Sequence, residues 1–281
     1  MQKKAIFIVA VSVVIVIAIF LGYKIAVSGK KQAPASESIP SKIETASKEE
    51  AQVFAFAYKC ETSGDLLTAR DAYQKIIEKF PNSDNIQRAQ EGLERTNINI
   101  LFSPTPTPDS SFYEVQKGDT LSKIARKFST TQELILKANN LKSENVVPLG
   151  RRLKVRKDKF SIVVDKSQNI LTLKSRDHIV KTYHVSTGLN NSTPVGAFKI
   201  VNKIINPPWY TAGGVIPPDS PKNILGSRWL GISVPGYGIH GTTQPQSIGK
   251  QVTSGCVRMK NSDVEELYAI VPEGTEVVIV D

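Results

Sequence analysis

At Ser103-Pro-Thr-Pro-Thr-Pro-Asp-Ser-Ser111 three prolines alternate with threonines. Proline fixes φ and carries no backbone N–H, so this stretch favours stiff, extended chain and reads as a linker. The pattern before it is helical, and the pattern after it turns to strands and short helices. With 281 residues, the chain has length for two or three small domains rather than one large core.

Upstream, Lys3 and Lys4 precede an apolar run from Ala5 to Leu21, broken only by Ser12. Its seventeen residues span about 25 Å as a helix, close to a bilayer core. The flanking lysines favour a cytoplasmic N-terminus and an exported body. Residues 1–27 are read as a membrane anchor, with a cleaved signal sequence as the alternative, since Ala26-Val27-Ser28 offers small residues for cleavage. Residues 28–47, rich in Ser, Pro, Lys and Glu, are expected to form a linker. Residues 48–100 carry apolar positions at helical spacing, with Gly64-Asp65 and Pro81 as breaks and Ser83 or Asp84 as a further cap. Ala57, Ala69, Tyr73 and Pro81 resemble the spacing of one tetratricopeptide repeat. That resemblance implies docking of a protein partner, whereas a solenoid needs three repeats and a plain helical spacer fits as well.

Net charge is +10, concentrated in Tyr113–Lys157, where eleven basic side chains meet four acidic ones. An exported basic block suits an anionic envelope polymer, and no nucleic-acid partner is expected. The two cysteines cannot build a disulfide framework, and no His/Cys cluster has zinc spacing, so neither metal nor cofactor is expected.

Residues 112–157 read as strand, helix, helix, strand. Asp119 or Thr120 caps the first helix, Thr130 or Thr131 starts the second, and Leu149-Gly150 turns into the last strand. "KGDTLSKIA", "ANNL" and "VPLGRRLKV" make this block similar to a LysM domain. The resemblance implies binding of N-acetylglucosamine-containing glycan between two loops. They hold Gly118, Asp119 and Thr120 on one side and Val147, Pro148 and Leu149 within 145–149 on the other.

Residues 160–281 alternate strand-like runs with Gly and Pro, and one helix is evident, capped by Asn261 or Ser262. The domain is expected to be mainly β. Its chemistry centres on Cys256. A thiol becomes a nucleophile as the thiolate, and a histidine beside it can take the proton. His240 ends a strand at Gly241. Gly255 permits close backbone approach, and the N–H groups around Gly255 and Cys256 are candidates for an oxyanion site. Arg258 adds a fixed charge. On residue types alone, a core cysteine and a structural histidine remain open.

The combination of "VSTG", "TPVGAF", "LGSRWLGI", "IHGT" and "SGCVRM" resembles the YkuD-type L,D-transpeptidase catalytic domain. The resemblance implies Cys256 as nucleophile and His240 as general base. It places the oxyanion donors around Gly255 and Cys256, and Arg258 as an orienting residue. Ser254 stands where many members carry a second histidine and offers only a hydroxyl; Gly241 follows the base. The implied reaction is 3→3 cross-linking of peptidoglycan stem peptides in the cell envelope. An L,D-carboxypeptidase or stem-peptide hydrolase with the same acyl-enzyme is the alternative, and a non-catalytic wall-binding scaffold is a third. His178 and His184 are expected to be structural, Cys60 a packed or half-exposed thiol, and pairing with His240 is expected to lower the Cys256 pKa.

Overall fold

The structure is a computed structural model that describes residues 39–143, 147–156 and 159–281, with side chains from residue 48. The apolar run Ala5–Leu21 lies outside the described residues. Among the described residues, no helix is long and apolar enough to cross a membrane.

Among the described residues three helices come first: α1 (Ile39–Ser63), α2 (Leu66–Lys79) and α3 (Ile86–Leu101). Helix α1 starts inside the stretch that composition reads as linker. Gly64, at φ 85°, takes the left-handed turn that only glycine adopts freely. Asp65 then caps α2 by accepting from Thr68 N–H at 3.4 Å. The third helix follows Asn85, which makes no side-chain cap bond; Ser83 serves the turn instead, accepting from Asn85 N–H at 2.9 Å. Tyr73 is fully buried, edge-on to Phe54 with centroids 5.8 Å apart. Its hydroxyl donates to Glu61 at 2.8 Å, and Arg95 binds the same carboxylate. One helical hairpin and an added helix are what the residues build, and no tetratricopeptide array is established.

The βααβ unit follows: β1 (Ser110–Glu114), α4 (Leu121–Lys127), α5 (Gln132–Ala138) and β2 (Arg152–Arg156). Thr120 and Thr131 cap the helices, accepting from Lys123 and Leu134 N–H. β1 and β2 pair antiparallel, Tyr113 opposite Leu153, over a core of Leu121, Ile124, Ile135 and Leu153.

The last part is built from β3 (Phe160–Asp165), β4 (Ile170–Ser175), β5 (His178–His184), β6 (Thr187–Gly188), β7 (Gly196–Ile205), β8 (Trp209–Thr211), β9 (Gly214–Ile216), β10 (Arg228–Ile232), β11 (Gly238–His240), β12 (Gln251–Thr253), β13 (Val257–Arg258), helix α6 (Asn261–Ile270) and β14 (Glu276–Val280). Eight strands form one sheet in the order β13-β11-β10-β7-β14-β3-β4-β5. β3, β4 and β5 form the expected antiparallel meander, but β14 joins β3 in parallel and β11 joins β13 in parallel. Alternating burial in β3 and β4 follows from side chains pointing to opposite faces. Helix α6 packs on β10 and β11 and buries Val264 and Leu267 completely.

These parts do not sit apart on the Pro-rich stretch. Ile98 and Leu101 of α3 and Leu134 of α5 belong to the hydrophobic core of the large sheet. Glu94 accepts from the Thr182 N–H of edge strand β5 at 2.9 Å, and Asn97 donates to Val180 O at 3.2 Å. Lys154 of β2 is 1% exposed, and its Nζ donates to the carbonyls of Ile100 and Ser103, each at 2.7 Å. A cation there complements the carbonyl end of α3. Thr131 donates to Ala269 O of α6. Residues 46–281 are one compact unit.

Candidate active site

The site is built on the β10–β11–β13 end of the sheet. β11 pairs antiparallel with β10, which sets His240 opposite Trp229, and parallel with β13, which sets His240 beside Arg258. Paired residues on neighbouring strands share a face, and so do residues two apart on one strand. His240 and Arg258 therefore share one face of the sheet end, and Cys256 lies in the bend immediately before β13.

His240 is 3% exposed. Its ring stacks on Trp229 with centroids 6.1 Å apart and planes 16° apart, and the indole N–H donates to Asn202 Oδ1 at 3.1 Å. Gly238 leaves room for this indole, because a Cβ there would come within 2.6 Å of it. Nδ1 lies 2.6 Å from Gly241 O. A carbonyl only accepts, so Nδ1 carries the hydrogen and Nε2 keeps its lone pair. Burial pushes the His240 pKa down to about 4 against the opposing pull of the Gly241 carbonyl; Arg258 lowers it further and the Leu225 carbonyl raises it. The imidazole is neutral at pH 7.

Cys256 is free and half-buried, with Sγ 3.6 Å from Gly236 O. Burial raises its pKa, while the Gly238 N–H and Arg258 favour the thiolate. The expected lowering through an imidazolium is therefore not what the resting site shows. Desolvation disfavours the charged form of both groups.

The loop before Cys256 is drawn tight by Thr253, whose hydroxyl donates to Cys256 O at 2.6 Å and accepts from Gly255 N–H at 3.1 Å. Gly255 sits at φ 127°, and a Cβ there would lie 2.6 Å from the Tyr237 ring. Its N–H is thus held inside the loop rather than presented to a ligand. Ser254 is exposed on the same turn. Arg258 is 5% exposed; Nη1 donates to Ser247 Oγ at 3.0 Å, while Nε is buried without a partner. Its backbone exchanges two 2.8 Å bonds with Ser186. Gly241 donates to Arg228 O at 3.1 Å.

Thr253 and Trp229 are site residues that motif reading passed over. A threonine three before the cysteine and a tryptophan opposite the histidine were the signals available. Trp209 lies in the β8–β9 hairpin. His178 and His184 lie on β5, at the opposite end of the sheet. Cys60 is buried on α1.

In the βααβ unit, Val115 N–H donates to Arg151 O and Gly150 N–H to Val115 O, so the turns around Gly118 and Leu149 meet at one end of the β1–β2 ladder. Asp119 accepts from Tyr113 OH at 2.7 Å and Gln116 N–H at 2.8 Å, and Thr120 is occupied as a cap. Their side chains shape the loop, whereas Leu149 is 70% exposed. Pro148 is also exposed, Val147 is half-buried, and the adjoining residues 144–146 lie outside the description. Among the described residues no His, Cys, Asp and Glu cluster could hold a metal ion.

Residues 159–279 match the YkuD family, described as the L,D-transpeptidase catalytic domain, and residues 113–156 match the LysM domain. A Bacillus licheniformis protein named as the L,D-transpeptidase YkuD is 40% identical over 174 residues, which are 59% of this chain and 97% of that protein. Its namesake in Bacillus subtilis is 37% identical over 173 residues, again 59% and 97%. The solved catalytic domain of an Enterococcus faecium L,D-transpeptidase aligns with 44% of this chain and 98% of its own, at 23% identity and a TM-score of 0.35.

Proposed function

From the premise that this chain belongs to the L,D-transpeptidase family, we propose that Cys256 and His240 carry out acyl transfer between peptidoglycan stem peptides. The observation that supports this most is the buried, neutral His240, its Nδ1–H tied to Gly241 O, on the strand beside the one that Cys256 precedes.

The thiol attacks the carbonyl of the third, L-centred stem residue. An S–C bond forms while Nε2 of His240 takes the thiol proton. The tetrahedral intermediate collapses, the C–N bond to the terminal D-alanine breaks, and His240 hands its proton to the leaving amine. An amine from a second stem then forms the new C–N bond, the C–S bond breaks, and the proton returns to sulfur through His240. A neutral starting pair suits this cycle, because charge develops only as the substrate is attacked. Arg258 supplies positive potential near the developing anion, and Cys256 N–H is the donor assigned to the oxyanion, with Gly255 N–H committed to Thr253.

The LysM loops at Gly118–Thr120 and Val147–Leu149 hold glycan strands. Residues 1–27 anchor the chain to the membrane with its body outside the cytoplasm, and the helical segment offers a face to a protein partner. Digestion of donor and acceptor muropeptides with the full chain, read by mass spectrometry, tests the reaction. The cross-linked dimer with loss of D-alanine is the expected product. Tripeptide alone would assign hydrolysis, and no turnover would assign a scaffold.

A further inference from the structure

The turn after His240 is held from outside the strands that carry it. The peptide group between Gly241 and Thr242 presents its carbonyl to His240 Nδ1 at 2.6 Å. The N–H of the same group belongs to Thr242 and donates to Asn261 Oδ1 at 2.9 Å. A peptide group is planar, so fixing its N–H direction fixes its carbonyl direction. Oδ1 of Asn261 also accepts from Ser227 N–H at 3.2 Å. That loop includes Leu225, whose carbonyl is the other backbone oxygen acting on the imidazole. A Cβ at Gly226 or at Gly241 would lie 2.2 Å from this oxygen, so glycine at both positions is what lets one acceptor reach two loops. Sequence reading offers Asn261 as a helix cap. Instead, Lys260 occupies the cap position without a side-chain bond, and the Asn261 amide is turned to the site. Helix α6, which carries it, is anchored in the core through Val264 and Leu267.

We propose that Asn261 is a positioning residue for acyl transfer: its single oxygen holds the Gly241–Thr242 peptide and the Leu225–Ser227 loop, and so keeps His240 as the Nδ1–H tautomer. This rests on the reading of His240 as general base. The test compares Asn261→Ala and Asn261→Asp in the full chain, by kcat/KM on a soluble stem tetrapeptide and by 15N spectra of labelled histidines at pH 7. The His240 signals are assigned by their loss in His240→Gln. In Asn261→Ala, kcat/KM falls about tenfold or more, mostly in kcat, and the His240 nitrogens shift toward a tautomer mixture. Asn261→Asp keeps an acceptor oxygen and recovers the tautomer and at least about a third of the rate. If Asn261→Ala does not fold, Asn261→Ser, too short to reach both amides, is read in the same way. An unchanged tautomer with a rate within about twofold of wild type overturns the proposal, as does equal impairment in Ala and Asp with the wild-type tautomer in both. Full activity in His240→Gln would instead remove the base assignment itself, and with it the role in acyl transfer, even where the tautomer depends on Asn261.

Discussion

The two ends of the eight-stranded sheet handle their polar groups in opposite ways. At β5, an exposed edge is closed: Thr182 N–H and Val180 O find Glu94 and Asn97 of α3, and Ile98 and Leu101 fill the core beneath. Covering an edge this way removes a row of unpaired backbone groups. At β13, the strand is two residues long, Cys256 is half-exposed beside it, and Arg258 Nε is buried without a partner. Buried ionisable groups show the same contrast. Lys154 near α3 is pushed down to about 8 by burial and Arg156, yet it donates to two carbonyls and stays charged at pH 7. His240 is driven neutral. Polar groups satisfied among themselves hold the parts together, and polar groups left partly open lie where the chemistry is proposed.

Changes at the open end have the largest expected effects on rate and small effects on stability. Cys256→Ala should lower transpeptidation by about a thousandfold or more, since it removes the proposed nucleophile, with the unfolding midpoint nearly unchanged. A folded Cys256→Ala protein with wild-type turnover would break the contrast at once.

The next effect is on pH. With His240 neutral and its pKa about 4, kcat/KM should show no acid limb near 6.5 and should fall only as pH approaches 4. The same group links to stability. The unfolded chain takes up this proton near pH 6.5 and the folded chain near 4, so folding stability is full above 6.5 and is lost as pH falls through that window. The size is about 3 kcal/mol. Denaturant titrations between pH 4 and 7 should show the loss in wild type and not in His240→Gln. An acid limb at 6.5 would instead indicate a charged resting pair.

Changes at the closed side should reverse the pattern. Lys154→Ala leaves two carbonyls of the α3 terminus without their donor and removes buried packing, at a cost of about 2–3 kcal/mol. The smallest expected effect belongs to Glu94→Ala, about 1 kcal/mol for one exchanged backbone bond, with soluble-peptide turnover unchanged. Loss of turnover in a folded Lys154→Ala protein would show that the two ends are coupled.

The LysM block and the β-rich last domain were legible because their signals are local. Thr120 and Thr131 cap where residue type places them, and strand β11 ends at His240 as the Gly-bounded run suggests. The assembly of the parts was not legible. Lys154 reads as one more basic residue in a basic block, and only folding brings it under Ile100 and Ser103. The Pro-rich stretch reads as a spacer, yet both its flanks are pinned. Asn261 reads as a cap because a cap is a local role, while the contacts it makes are 19 and 34 residues away. The shift of the Cys256 thiol was missed for a related reason: the resemblance implies a base beside it, but burial is a property of the whole fold.

The central claim is that the half-exposed thiol of Cys256, which precedes the strand paired with that of His240, forms the acyl-enzyme. Rapid acid quench of the full chain with a stem tetrapeptide, followed by intact mass and peptide mapping, measures it directly. The account predicts an adduct equal to the tetrapeptide less its terminal D-alanine, on the Cys256 peptide, formed in wild type and absent in His240→Gln. An adduct on Cys60, or turnover with no covalent species in a Cys256→Ala protein, would contradict it.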